Sequence, residues 1–303
     1  MTIRKVANNI SDISQLYPFK KKILFTARDI AILLFSTFSK IDSSKEWIRV
    51  IFYHHVFDDE RKDFERHLRY LRKYGDFISL DTVVDILEKN EKICGRYFCV
   101  TFDDGFKNCI TNALPILVEN ECLASFFIAT DYIGCNVEEH LYTFKEKFSG
   151  NKNAYPIPVE FMNWDDCKNL LEAGMIIGSH TCSHVPLSEL DDNQLKSELV
   201  KSKQKIEEKL GIDCIHFAAP LGVPGKHFIV GNDPIIAKTV GYRSFLTTER
   251  GPNYNGTDPF RIRRDGMFAR CGNHALRFFL SESSQNNFTK AVRSLWSNKI
   301  YRT

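Results

Sequence analysis

Residues 97–105 read Tyr97-Phe98-Cys99-Val100-Thr101-Phe102-Asp103-Asp104-Gly105, an apolar run that ends abruptly in two carboxylates and a glycine. Aromatic and β-branched residues favour a buried strand, and glycine accepts backbone angles that other residues avoid. The paired acids therefore follow a core strand directly, at the position where parallel α/β architectures carry their chemistry. An acidic, solvated turn is the alternative interpretation of this stretch taken alone.

A second polar stretch, Gly178-Ser179-His180-Thr181-Cys182-Ser183-His184, carries two histidines four residues apart. On one face of a helical turn, both imidazoles can reach the same ion. Two histidines and one carboxylate make a set of three protein ligands that leaves positions open for water. The spacing therefore indicates a metal site shared with the paired acids, although chance or the polarity of a helix start could also produce two such histidines.

Strand-like and helix-like segments alternate along the chain from Trp47 onward. This alternation implies a parallel sheet with helices outside it, closed or nearly closed. The predicted strands are 47–53, 77–80, 97–102, 124–129, 175–179, 215–219, 242–247 and 260–264, and the predicted helices are 64–74, 81–87, 108–120, 164–171, 191–210 and 234–240. Between them, residues 135–159 show no periodicity and are predicted to form a long loop.

The two polar stretches resemble the first two motifs of the polysaccharide deacetylases with a NodB homology domain, carbohydrate esterase family 4. Further matches are Tyr53-His54-His55-Val56, Trp164-Asp165, Gly178-Ser179 and Phe217-Ala218-Ala219-Pro220-Leu221-Gly222. The resemblance implies an α/β fold, a distorted (β/α) barrel of about seven parallel strands. The expected partition is an N-terminal helical extension (1–46), a NodB-like domain (47–270) and a C-terminal helical segment (271–303).

The resemblance also implies a role for each matching residue. Asp104, His180 and His184 would be the ligands of a divalent metal, with zinc expected and cobalt or another divalent ion as the alternative. Asp103 would be the catalytic base, and the backbone N–H of Leu221 would hold the oxyanion. Side chains expected to contact the substrate are Tyr53, Trp164, Pro220 and Arg264.

Two features of the family pattern are missing. The third motif usually carries an arginine that pairs with the base, and Ala218 stands there. The late Leu-x-His motif, whose histidine protonates the leaving amine, is not recognisable, and His54 is the first candidate for that acid or for a substrate contact. Candidates for the missing cation are Arg243, Arg261, Arg263 and Arg264, and the remaining candidate imidazoles are His55, His216, His227 and His274.

These matches predict a metal-dependent hydrolase that removes acetyl from the amide of an N-acetylated sugar, as a polysaccharide or a glycan precursor. Two alternatives remain. The same fold and metal could hydrolyse an O-acetyl ester, a formyl group or a cyclic amide, or an impaired domain could bind a glycan without cleaving it. Ala218 and the missing histidine favour the second alternative, whereas the intact set of acids and histidines argues against it.

Composition restricts the partners of the chain. A net charge of +3 over 303 residues is too small to indicate nucleic-acid binding. The nine cysteines are odd in number and include no C-x-x-C pair, so neither a disulfide framework nor a cysteine zinc site is indicated. Scattered free thiols favour a reducing compartment.

The apolar segment from Lys20 to Lys40 is predicted to be a helix preceded by lysines. Its uninterrupted apolar part is too short to cross a bilayer. Packing on the domain is expected, and peripheral contact with anionic lipid is the alternative. Since no secretory signal is recognisable, the expected location is the cytoplasm, with a position at the inner membrane face as the alternative.

Overall fold

Eight parallel strands form one sheet in the residues that the computed structural model describes, which are 6–17, 19–41, 43–135 and 159–281. They are β1 (Trp47–Tyr53), β2 (Asp76–Phe77), β3 (Arg96–Phe102), β4 (Ala124–Ile128), β5 (Ile176–Ser179), β6 (His216–Ala218), β7 (Ser244–Leu246) and β8 (Arg264–Gly266). The sheet order is β7-β6-β5-β4-β3-β1-β8, and the short β2 pairs with β3 at the side.

The sheet closes on itself just ahead of β8. The Thr247 N–H donates to the Ile262 carbonyl at 2.9 Å, and the Ile262 N–H donates to the Phe245 carbonyl at 3.1 Å. These bonds join the chain at the end of β7 to the segment that leads into β8. The predicted distorted barrel of about seven parallel strands is therefore confirmed.

Helices surround the barrel and close its lower end. The described helices are α1 (Ile10–Ser14), α2 (Phe19–Ser36), α3 (Arg61–Leu71), α4 (Leu80–Glu88), α5 (Leu114–Glu119), α6 (Trp164–Glu172), α7 (Asp192–Leu210), α8 (Asp233–Val240) and α9 (Asn273–Leu280). Leu80, Val83, Val84 and Leu87 of α4 share one buried cluster with Ile48, Val50, Cys99, Phe127, Ala218 and Leu246 from the strands. Because alternate strand residues point to one face, this cluster is the floor of the barrel, and the polar site lies above it.

The last strand lies four residues later than the predicted strand 260–264. Pro259–Arg261 instead form a 3-10 turn, because the Asp258 carboxylate accepts the Phe260 N–H at 2.8 Å and proline presets the first turn. The strand begins at Arg264, opposite Val50 of β1. The predicted strand was wrong in register, and the correction decides which arginine enters the barrel.

Two helix starts also differ from the prediction. α4 begins at Leu80 with Ser79 as its N-cap, since the Ser79 hydroxyl accepts the Thr82 N–H at 3.1 Å. The predicted helix 108–120 begins as a π-helical turn, Cys109–Ala113, before α5. The predicted loop 135–159 and the C-terminal segment after residue 281 fall almost wholly outside the described residues.

The buried carboxyl of Glu60 gives stability a pH dependence that can be measured. Glu60 accepts the Phe57 N–H at 3.1 Å beneath the N-terminal segment, and burial raises the pKa of its carboxyl to about 7, against a smaller lowering effect of Arg270. The folded protein therefore holds this proton more tightly than the unfolded chain, whose glutamate titrates near 4.5. Its contribution to stability is greatest below that pH and falls as the pH rises towards 7.

We expect Glu60→Gln to remove this loss of stability. Above pH 7 the variant should be more stable than the wild type by up to about 3 kcal/mol, and the difference should shrink as the pH falls towards 4.5. Urea unfolding at several pH values measures it, with Glu65→Gln on the adjacent α3 as the control. An equal difference at every pH would contradict the assignment.

Candidate metal centre and catalytic base

The metal-ligand candidates lie at the upper ends of two strands. Asp103 and Asp104 follow β3, where the Asp103 N–H donates to the Tyr53 carbonyl at 3.0 Å. His180 follows β5, where its N–H donates to the Ile128 carbonyl at 3.0 Å. Parallel pairing places these strand ends at the same edge of the barrel, so residues that are far apart in sequence meet there.

Three buried ligand atoms converge at this edge. Asp104 Oδ1 lies 3.3 Å from Nε2 of His180 and 3.3 Å from Nε2 of His184. One ligand atom from each of the three residues lies within 4.8 Å of the other two. Two imidazole nitrogens and one carboxylate oxygen are a donor set suited to a divalent transition metal such as zinc. The residues present therefore fit the expected metal.

The surroundings hold each ligand in its metal-binding form. The Ala218 carbonyl lies 2.7 Å from His180 Nδ1, and because a carbonyl only accepts, this nitrogen carries the proton and Nε2 presents its lone pair. Burial lowers the pKa of His184 despite the Asp104 carboxylate, which keeps the imidazole neutral. Burial alone would raise the pKa of Asp104. The neighbouring imidazoles of His54, His184 and His180 together have the larger effect and hold this pKa well below its usual value.

Asp103 is bound by a guanidinium instead of by the histidines. Arg264 Nη1 donates to Asp103 Oδ1 at 2.6 Å, and Nη2 donates to Oδ2 at 2.8 Å. Both residues are buried. Burial raises the pKa of Asp103, but the charge and hydrogen bonds of Arg264, with smaller contributions from His180 and His54, hold it below its usual value. The two adjacent acids thus have different partners and are both ionised.

Arg264 reaches Asp103 along the inside of the barrel. β8 places Arg264 opposite Val50 of β1, the level at which Cys99 lies on β3. From there its guanidinium passes Thr101, whose hydroxyl it contacts at 3.3 Å, and Nε donates to the Thr247 carbonyl at 2.9 Å. It also stacks over Phe52, 4.6 Å from the ring centre. Arg264 therefore supplies the cation that Ala218 does not.

The other cation candidates bind acids elsewhere. Arg243 pairs with Asp85 and Glu88 beside α4, and Arg261 and Arg263 both pair with Glu249. Arg264, which was predicted to contact substrate, is completely buried and binds Asp103. The structure thus places it beside the predicted base, and a substrate contact stays a prediction.

Two other predicted substrate contacts, Tyr53 and Pro220, are buried. Tyr53 is fully buried, stacks on Phe102 and places its hydroxyl 3.2 Å from Nδ1 of His67, outside the barrel wall. Its side chain points away from the site because Tyr53 is the last residue of β1 and alternates with the inward-facing Phe52. Pro220 is also buried, in the loop that follows β6. The Tyr53 side chain therefore lies away from the site, whereas the substrate contact of Pro220 stays a prediction.

Trp164 lies at a helix start and Leu221 in a loop at the edge of the barrel. Trp164 is half-buried at the start of α6, whose N-cap is Asn163. Leu221 lies in the loop after β6, the strand whose Ala218 carbonyl binds His180, so it belongs to the same edge of the barrel. Its φ of 58° is in the left-handed region. That conformation is costly for leucine and is typical of functional loops.

His54 is the candidate imidazole at the opening. Its Nε2 lies 3.9 Å from Asp104 Oδ2, and about a quarter of its side chain is exposed. His55 and His216 are buried: His55 stacks between Phe57 and Phe106, and His216 bonds Asp81 and Ser244 near the barrel floor. His227 is buried behind the loop at Val223, and His274 begins α9.

Glu198 is a positioning residue that sequence reasoning missed. It lies on α7, and its carboxylate accepts the N–H groups of Cys182 and Ser183 at 2.8 and 3.1 Å and the Ser183 hydroxyl at 2.9 Å. These residues form the turn between the two ligand histidines, in which Thr181 and His184 have φ values of 66° and 58°. No motif marks a glutamate in the middle of a charged helix, so only the structure shows this contact.

We expect Glu198→Gln to weaken metal binding at least about tenfold. Loss of a residue that orients metal ligands through hydrogen bonds typically lowers metal affinity by that much or more. An amide offers one acceptor oxygen where the carboxylate offers two. Competition with a chelator measures the affinity, and Glu207→Gln is the control, since Glu207 of the same helix bonds Cys214 and Lys203 away from the turn. Equal metal affinity in the two variants would refute the role.

Comparisons with known proteins give one consistent family. The family profile described as "Polysaccharide deacetylase" matches residues 90–243, slightly more than half of the chain. A putative polysaccharide deacetylase of Bacillus subtilis (strain 168), YxkH, is 23% identical over 226 residues, covering 70% of this chain and 71% of that protein. The profile match includes both acids and both ligand histidines but ends before Arg264.

Solved structures share the fold at low identity. IcaB from Ammonifex degensii gives a TM-score of 0.63 at 20% identity, covering 78% of this chain and 97% of that one. The Streptococcus pyogenes deacetylase PplD, solved in complex with acetate, gives 0.61 at 19% identity, covering 78% and 98%. The BpsB deacetylase domain from Bordetella bronchiseptica gives 0.56 at 19% identity, covering 75% and 97%.

Proposed function

Because the chain belongs to the polysaccharide deacetylase family, whose members are hydrolases of carbon–nitrogen bonds other than peptide bonds, we propose that it is a metal-dependent deacetylase of N-acetylated sugars. The substrate is an N-acetylhexosamine unit in a polysaccharide or in a precursor of one. Hydrolysis consumes water and releases acetate and a free amine. The observation that carries the proposal is the separation of the two acids: Asp104 faces the histidines, while Arg264 binds Asp103.

Asp104, His180 and His184 would hold the metal, and zinc is the ion that suits this donor set. A bound divalent ion lowers the pKa of water and polarises a carbonyl. Asp103, kept ionised and oriented by Arg264, takes the proton of the attacking water. The two parallel hydrogen bonds from Arg264 fix the plane of the Asp103 carboxylate and so its orientation towards the water.

Two further groups complete the reaction. The Leu221 N–H donates to the oxyanion as the carbonyl carbon becomes tetrahedral. His54 protonates the leaving amine. The partial exposure of His54 and its position 3.9 Å from Asp104 support that role, since the group that meets the leaving nitrogen has to reach the opening.

His54→Asn should lower kcat for amides far more than kcat for activated esters, because the leaving groups of activated esters need no proton.

The experiment compares matched substrates. Purified protein supplied with zinc or cobalt is incubated with N-acetylglucosamine oligomers and with O-acetylated oligomers whose amines are free, and acetate is measured. Release from the N-acetyl substrate supports the proposal. Release from the O-acetyl substrate alone would replace it with an esterase.

A glycan-binding domain without activity is the rival of another class. Its main support was the alanine at position 218, and the two hydrogen bonds from Arg264 to Asp103 weaken that support. Glycan binding with no acetate release from a metal-loaded protein would establish the rival.

A further inference from the structure

Helix α2 is covered on one side. Arg28, Ile32 and Ser36 are buried, and they recur at intervals of four residues, which places them on one face of the helix. This face packs on α9, where Arg277 Nη2 donates to the Ser36 hydroxyl at 3.3 Å. The N-terminal helix is thus fixed to the domain by its inner face, as predicted.

The opposite face of α2 is apolar and exposed. We define the outer stripe as Phe19 (76% exposed), Ile23 (53%), Ile30 (54%), Leu33 (51%), Leu34 (61%) and Phe38 (85%), the last lying just beyond the helix. Five of these lie on the helix at spacings of four, seven, three and one residues, which keeps them on one side.

This concentration is unusual within the described residues. Fourteen large apolar side chains are exposed there, and eight of them lie between Leu16 and Phe38. The other six include a smaller group at the start of α8, Ile229, Val230 and Ile235, and three side chains elsewhere. A contiguous stripe on one helix instead indicates a surface that another phase or molecule covers.

The charges beside the outer stripe select the partner. Lys20 and Lys22 are exposed, and their positions on the helix lie on opposite sides of Phe19. The one acid of α2, Asp29, lies two turns beyond Lys22 on the same edge of the stripe, where Arg28 neutralises it at 2.5 Å. An apolar stripe that carries no acid, flanked by two lysines and one paired acid, complements a surface of acyl chains beneath anionic headgroups. A protein partner would need matching acids around an apolar groove.

We propose that α2 docks the protein on an anionic lipid surface, with the outer stripe immersed at the boundary of headgroups and acyl chains and both lysines at the phosphates. The helix lies in the plane of the surface over a length of about 27 Å. No helix in the described ranges is long and apolar enough to span a membrane. Docking through a surface helix is a separate property from deacetylation, so either can fail alone.

The test is vesicle flotation with the full chain. Vesicles of phosphatidylcholine with and without phosphatidylglycerol are mixed with wild type, with Ile30→Glu/Leu34→Glu, with Lys20→Glu/Lys22→Glu and with the control Ile229→Glu/Ile235→Glu. The control positions are 53% and 59% exposed outside the stripe. Acetate release from a soluble oligomer and thermal unfolding are measured on every variant.

We expect wild type and control to float with anionic vesicles, less so as salt rises. The stripe variant should lose flotation, and the lysine variant should bind about fivefold more weakly for each lysine removed, or weaker still for charge reversal. If the stripe variant does not fold, the lysine variant decides, since both lysines are exposed and Lys22 Nζ loses only an exposed hydrogen bond to the Gln15 carbonyl, at 2.8 Å.

Wild type that stays with the soluble fraction, or an Ile30→Glu/Leu34→Glu or Lys20→Glu/Lys22→Glu variant that floats as well as wild type, would overturn the proposal. A wild-type dimer that the stripe variant converts to a monomer, without flotation, would assign the stripe to a second copy of the chain and would also overturn it.

Discussion

Arg264→Met is expected to lower kcat/KM by about a thousandfold, an amount within the range that a correctly ionised general base contributes. Arg264 is completely buried and gives both of its terminal nitrogens to Asp103. Methionine fills much of the same volume but leaves a buried carboxylate without its cation. We therefore also expect a loss of about 3–5 kcal/mol in the free energy of unfolding, the usual cost of breaking a buried ion pair.

The pH profile separates this role from a purely structural one. Since Arg264 holds the pKa of Asp103 below its usual value against the effect of burial, removing the guanidinium raises that pKa. The base then becomes protonated at a higher pH, so the acid limb of kcat/KM moves upward. Residual activity of the variant should recover as the pH rises, and Arg264→Lys, which keeps the charge but not the paired hydrogen bonds, should lie between the two.

Arg263→Met is the matched control. The two arginines are adjacent in the chain, but Arg263 pairs with Glu249 and its side chain is 41% exposed. Its loss should change activity and stability little, because exposed ion pairs contribute at most about 1 kcal/mol. A folded, metal-loaded Arg264→Met enzyme within tenfold of wild-type activity would show that Asp103 does not depend on this partner.

His184→Ala is expected to abolish metal binding at this site and, with it, measurable acetate release. His184 supplies one of only three protein ligands in the described cluster, and alanine leaves two. The wild type should gain stability on addition of zinc, about 2.7 kcal/mol when free zinc is a hundred times its dissociation constant. The variant should show no such gain, because the folded state no longer binds the ion more tightly than the unfolded chain.

His274→Ala, at the start of α9, is the control for a lost imidazole. Metal content is read directly by elemental analysis, and the visible absorption of bound cobalt reports the geometry of the site. The control should match wild type in both. An equal metal content and an equal cobalt spectrum in His184→Ala would exclude His184 as a ligand.

The barrel and the metal ligands could be predicted because their signals are local. β1 coincides with the apolar run 47–53, and Gly211 ends α7 with a φ of 69°, as its position after a charged helix predicts. Asp104, His180 and His184 stand in two short motifs whose spacing is itself the chemical requirement. The structure brings one ligand atom of each within 4.8 Å of the other two.

The partner of Asp103 could not be predicted, because it depends on how the sheet closes. Arg264 and Asp103 are 161 residues apart, and they meet only because the chain closes the barrel next to β1. A shift of β8 by one residue would turn the Arg264 side chain to the outside of the barrel. The outside is where the neighbouring Arg263 lies, paired with Glu249. The 3-10 turn at Pro259–Arg261 sets that register, and the sequence pattern extended the strand across it.

The most direct test compares wild type with Asp103→Asn in one preparation, measuring bound metal and acetate released from an N-acetylglucosamine oligomer. The two acids have different partners, so the variant should bind metal as wild type does while releasing acetate at least about a hundredfold more slowly. Wild type that binds metal and releases no acetate, or a variant that retains full activity, would contradict the assignment of Asp103 as the base beside a metal held by Asp104, His180 and His184.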